Sequence, residues 1–146
     1  MGLIETASGN SVWRGLEYYE KKKVISWEST GATTYSGIVS GSNGEKYTVC
    51  IDKKHPRKST CNCAFAEGRR VVCKHMIALY FTAEPEAAEN FLKQVAEWEA
   101  EEEAEQKKHY DDLRKYVKSL SKVELQEHLY NALVMIEEMQ DRRSWW

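Results

Sequence analysis

Cys61-Asn62-Cys63, nine residues from Ala64 to Val72, then Cys73-Lys74-His75: this stretch delivers three thiols and one imidazole as two tight pairs, each split by one residue. That is a complete tetrahedral donor set for a structural zinc ion, with no position left for water. Zn–S bonds of about 2.3 Å at tetrahedral angles require sulfurs roughly 3.8 Å apart. A C-x-C pair meets this on an extended or tightly turned segment, where side chains two apart point the same way. The second pair needs a different setting. Residues i and i+2 lie on opposed sides of an α-helix, so Cys73 and His75 cannot share a metal from mid-helix. Cys73 is therefore expected at the very N-terminus of a helix, with His75 in its first turn. There the helix dipole also favours the thiolate that binds metal.

The same spacing carries a resemblance. C-x-C, an insert, then C-x-H running straight into Met76-Ile77-Ala78-Leu79-Tyr80-Phe81 resembles the SWIM zinc finger of stand-alone bacterial proteins, helicase-like ATPases and transposase-derived factors. Tyr18-Tyr19 before a basic turn, Val24, Gly41-Ser42 and Tyr47-Thr48-Val49 resemble the strands leading into bacterial members, so the likeness covers roughly residues 13 to 82. It implies Cys61, Cys63, Cys73 and His75 as ligands of one structural Zn²⁺, and binding to DNA or to a protein, often beside a larger ATPase or transposase.

Working outward, Met1 to Asn10 is small and polar and is expected to fray. Ser11 reads as the N-cap of a helix from Val12 to about Lys21, with Val12, Leu16 and Tyr19 on one face. Three strand-like runs follow, at 24–28, 33–39 and 46–51, parted by polar turns. The last places Tyr47, Val49 and Ile51 on one face. Cys50, between Val49 and Ile51, is read as a small core residue. The loop from Asp52 to Ser59 is basic, and Glu67-Gly68 marks the tip between the ligand pairs. Ile77, Tyr80 and Phe81 are expected to pack the following helix on the sheet.

Pro85 opens a new helix, and from Glu84 the chain reads as helical. Phe91, Leu92, Val95 and Trp98 start an apolar stripe. It lapses over Glu99 to His109, a solvated helix or a hinge. It resumes at Tyr110, Leu113, Val117 and Leu120, and Ser121 with Glu124 is a capping box for a last helix carrying Leu125, Leu129, Leu133, Ile136 and Met139. The fold class is thus α+β: a small antiparallel β-meander with a zinc knuckle and a packed helix, followed by an α-helical extension. Residues 1–82 form the finger domain. Residues 83–146 form the extension, which pairs either into a homodimer or back on the finger. Trp145 and Trp146 dock on the helices or anchor a partner.

Charge adds a direction. Among 146 residues the formal net charge is −2, yet residues 1–82 hold twelve Lys/Arg against seven Asp/Glu and residues 83–146 hold nine against sixteen. The whole positive excess of the first part lies between Asp52 and His75, in Lys53, Lys54, Arg57, Lys58, Arg69, Arg70 and Lys74. These seven are the candidate nucleic-acid contacts, with DNA favoured over RNA; the plain alternative is that they offset the thiolates and solvate the loop. Tyr35, Phe65 and Tyr80 offer stacking faces, although aromatics at such positions usually pack inside. His55, His109 and His128 are read as surface residues.

No nucleophile–base–orienter set and no H-E-x-x-H pattern is present, so the expectation is a binding protein and not an enzyme. The first twelve residues lack the basic and apolar regions of a signal peptide, and the longest apolar run is six residues. A cytoplasmic protein without membrane contact follows as the expectation, with thiols that hold metal instead of forming two disulfides. The competing reading is a protein-interaction adaptor that uses the acidic helices and never touches nucleic acid.

Overall fold

A computed structural model describes residues 2–144. Trp145 and Trp146 lie outside the described residues, and with them the expectation that they dock or anchor. The chain divides into two compact units, Met1–Val95 and Ala96–Trp146.

The first unit opens with a short helix α1 (Leu3–Thr6), where fraying was expected; Leu3 is buried in the core and holds it down. Helix α2 (Gly9–Glu20) starts three residues earlier than the apolar pattern suggested. Its N-cap is Ser8, whose Oγ accepts from the Ser11 N–H at 3.2 Å, so Ser11 is inside the helix and buried. Both serines suit a cap, and only the burial of Ser11 selects between them. The helix ends at the triple lysine, where Lys22 takes a left-handed conformation (φ 54).

Strands β1 (Val24–Ser29), β2 (Thr34–Ser40) and β3 (Lys46–Asp52) form the antiparallel meander. A fourth, β4 (Thr60–Cys61), extends the sheet in the order β1-β2-β3-β4. The inward face of β3 carries Val49 and Ile51, with Tyr47 half-buried. Cys50 points the other way and is exposed, correcting its core assignment. Strand alternation demands this: a residue between two buried neighbours faces outward.

Helix α3 (Lys74–Ala83) is the centre of the unit. Met76, Ile77, Ala78, Leu79 and Phe81 are all fully buried; a helix apolar on all sides needs cover on all sides. The sheet covers one side and α2 another. The α2–α3 approach requires glycine: a Cβ on Gly15 would lie 2.5 Å from Ile77 and 2.9 Å from the Lys74 carbonyl. Helix α4 (Pro85–Ser119) adds Ala88 and Phe91 to this core, with Phe91 stacked 6.2 Å from Phe81 and edge-on to Trp13 at 5.2 Å.

The second unit consists of the rest of α4 and helix α5 (Lys122–Arg143). The glutamate-rich run is continuous helix, not a hinge. Ser121 and Glu124 form the expected reciprocal capping box, at 3.3 and 2.8 Å. No helix among the described residues is long and apolar enough to cross a membrane.

Candidate metal centre and the basic surface beside it

The four candidate ligands come from three local structures. Cys61 lies on β4 opposite Val49, and cross-strand partners share a face, so its thiol points inward. Asn62, the residue between the first two thiols, fastens this pair to the sheet: its Oδ1 accepts from the Thr48 N–H at 2.9 Å. The Cys63 carbonyl then accepts from the N–H groups of Ala66 and Glu67, at 3.1 and 2.9 Å, and coils the insert into a turn. Gly68 closes that turn at φ 72, a conformation that favours glycine. Cys73 is the N-cap of α3, with extended backbone angles, and His75 sits in the first turn, as the i, i+2 argument required.

The three sulfurs and the imidazole offer ligand atoms that all lie within 4.8 Å of one another, and all four residues are buried. His75 Nδ1 is 3.7 Å from the Cys61 sulfur and 3.9 Å from that of Cys73. A tetrahedron with zinc bonds of about 2.3 Å to sulfur and 2.0 Å to nitrogen has edges of roughly 3.5–3.8 Å. The donor set therefore fits such an ion in number, chemistry and spacing. Ionisation within the cluster is uneven. Contact with Cys61 lowers the Cys73 thiol against the opposing pull of burial, with help from His75 and the Met76 amide. Contact with Cys73 and then burial raise Cys61. A bound dication takes both sulfurs as thiolates and would displace any proton they hold.

His75 is held unusually. It is 3% exposed, and its Nε2 is buried without a hydrogen-bond partner among the described residues. Ligand histidines usually donate that second N–H to an acceptor. Here the ring is fixed by packing, with Tyr47 tilted over it at 4.4 Å and Tyr18 edge-on at 5.5 Å. The Lys74 Nζ lies over the Tyr18 ring, 4.8 Å from its centroid. Tyr18, Tyr47 and Asn62 thus support the centre, and none was assigned that role from sequence. Two signals touch Tyr47: its phase, shared with Val49 and Ile51, and its place in the Tyr47-Thr48-Val49 run that carries part of the resemblance.

The seven basic candidates separate. Lys54, Arg57, Lys58 and Arg70 line one cleft of about 760 Å³. Arg57, Arg69 and Arg70 line an adjoining one of about 500 Å³, together with Cys61 and Asn62. Arg57 and Arg70 belong to both, so five cations occupy one continuous surface. All five are exposed and, among the described residues, free of ion pairs. The remaining two are engaged elsewhere: Lys53 pairs with Glu84 at 2.8 Å, and Lys74 rests on Tyr18. The loop holding Lys54, Arg57 and Lys58 is shaped by Asp52, whose Oδ1 accepts from the N–H groups of Lys54 and His55, both at 3.0 Å. The His55 amide in particular keeps this carboxyl below its usual value. Pro56 then starts a 3-10 turn. His55, His109 and His128 are exposed, as read. Phe65 is exposed, while Tyr35 and Tyr80 are half-buried.

Residues 47–84 match the family model described as the SWIM zinc finger. The resemblance seen in the ligand spacing holds over this segment, which begins at Tyr47 over the imidazole and ends at Glu84, the partner of Lys53. No curated protein and no solved structure matches the chain.

Proposed function

We propose that the finger binds nucleic acid through the surface around Arg57 and Arg70, with one structural zinc ion fixing its shape. The observation that carries this is the clustering of five exposed cations, unpaired among the described residues, on two adjoining clefts. Zinc with three thiolates contributes about −1. That charge is buried with the ligands, whereas the cations face solvent, where phosphates meet them. Cys61, Cys63, Cys73 and His75 would hold the ion, which supplies cross-linking of β4 to α3 and no chemistry. The protein acts in this reading by binding and not by catalysis. Duplex DNA is the favoured ligand, a helicase-like ATPase fits as a separate protein partner, and the cytoplasm is the expected location.

The test is the salt dependence of binding to duplex DNA, single-stranded DNA and RNA. With about four phosphates neutralised, log K should fall against log salt with a slope near −4. Arg57→Ala with Arg70→Ala should flatten it by roughly two. Binding of undiminished strength that ignores salt and survives this double change would sink the proposal and favour the adaptor reading.

A further inference from the structure

Twelve large apolar side chains between Tyr110 and Met139, from Tyr110 and Leu113 on α4 to Ile136 and Met139 on α5, are 37–69% exposed. Taking roughly 150–200 Å² for a side chain of this size, they leave on the order of 1,000 Å² of apolar surface open to water. Monomers rarely carry a patch above a few hundred Å². The two helices do little to cover each other: among the described residues they make only slight contact, at the Tyr116 and His128 rings, 6.0 Å apart.

We infer that residues 107–143 pair with the same residues of a second copy, the basic end of α4 in one chain lying along α5 of the other. Three observations select a second copy as the occupant. The first is charge. Residues 107–119 carry five Lys/Arg against two Asp/Glu, whereas residues 122–143 carry three against five. The surface is therefore self-complementary, which a two-fold interface requires because each patch must meet the other chain's counterpart. The second is area: two such surfaces together bring about 2,000 Å² to the contact, the lower range for obligate homodimers. The third is the distribution of apolar residues around α5. At 100° per residue, Leu125, Leu129 and Ile136 occupy one side of the helix and Val123 and Tyr130 nearly the opposite one. A helix apolar on two sides needs two neighbours, and a four-helix arrangement of two copies supplies them.

The experiment is the solution mass of the full, metal-loaded chain under reducing conditions, which keep the exposed Cys50 from cross-linking. The expected mass is twice 16.9 kDa. Leu129→Glu with Ile136→Glu should halve it while leaving metal content per chain unchanged, which reports an intact finger. Because these changes fall on the apolar face and could unravel α5, a second set leaves that face intact. Lys107→Glu with Arg114→Glu should weaken dimerisation, and adding Glu127→Lys with Glu138→Lys in the same chain should restore it. A monomeric wild-type chain overturns the inference. So does a mass of four chains, a dimer indifferent to both α5 glutamates, or a charge reversal that the compensating pair fails to rescue.

Discussion

Phe81 and Ile136 are both large apolar residues within helices, and they meet opposite fates. Phe81 on α3 is fully buried between Tyr19 and Phe91, whereas Ile136 on α5 is half exposed. The first unit folds chain-distant pieces around α3 and gathers four buried candidate metal ligands beside it. Among its described residues the second shows regular helix and a reciprocal cap but almost no burial. The hydrogen bonds of a helix are local, whereas most of its stability in a protein comes from packing its apolar face; burial is not local, and needs something to be buried against. The contrast teaches that one chain can carry a region finished by its own contacts and another whose apolar face awaits a partner.

The largest expected break in this contrast comes from metal removal. Structural zinc contributes on the order of 10 kcal/mol in finger peptides, comparable to the whole stability of a small domain. Chelation, or Cys73→Ser, should therefore abolish the dispersed amide spectrum of the first unit, with the helices beyond Val95 changing far less. Retention of the first unit's spectrum in a verified metal-free chain would show that its apolar core suffices.

Core truncation gives the next largest effect and sets the two units directly against each other. Phe81→Ala should cost about 3–5 kcal/mol in denaturant unfolding of the first unit. Leu133→Ala, at a half-exposed position on α5, should leave that transition within about 0.5 kcal/mol and act on the self-association equilibrium instead. Gly15→Ala sharpens the same point by overpacking. The added methyl meets Ile77 and the Lys74 carbonyl, and should cost about 1–3 kcal/mol, although alanine is ordinarily the better helix former.

The smallest effect belongs to the Lys53–Glu84 pair, which ties the basic loop to the end of α3. The hydrogen bond to Glu84 raises the Lys53 pKa, against the opposing effect of burial. A raised basic group stabilises the fold while it is protonated, so the contribution is complete below the unfolded lysine value, about 10.4. It is lost as pH climbs through the folded value above that. With both side chains about one-third exposed, the pair is worth under about 1 kcal/mol. Lys53→Met should lower the melting temperature slightly at neutral pH, and the difference from wild type should persist to about pH 10.4 and vanish only once pH has passed the raised folded value. A difference that persists there would assign the loss to something other than the charge on Lys53.

Legibility in the sequence follows how local each cause is. The cap position of Cys73, the start at Pro85 and the Ser121–Glu124 box are decided within one helical turn, and each was readable. The identity of the α2 cap was not, because Ser8 and Ser11 are chemically alike and only the burial of Ser11 excludes the second. β4 escaped notice because two residues carry no periodicity of their own; β3 makes them a strand. Cys50 was misplaced for the opposite reason: a small apolar residue suggested the core although the strand's period of two already turned it outward.

Determined by the sequence alone were the donor set, its spacing, the helix that must begin between Cys73 and His75, and the confinement of positive charge to that neighbourhood. These are properties of residue type and short separation. The tertiary structure alone decided that Asn62 fastens the knuckle to Thr48, and that Tyr18 and Tyr47 replace a hydrogen bond in holding His75. It also separated five cations without an ion pair among the described residues from two engaged ones, Lys53 with Glu84 and Lys74 with Tyr18. Each of these joins groups far apart in the chain, and such contacts exist only once the intervening chain has packed and its loop entropy has been lost.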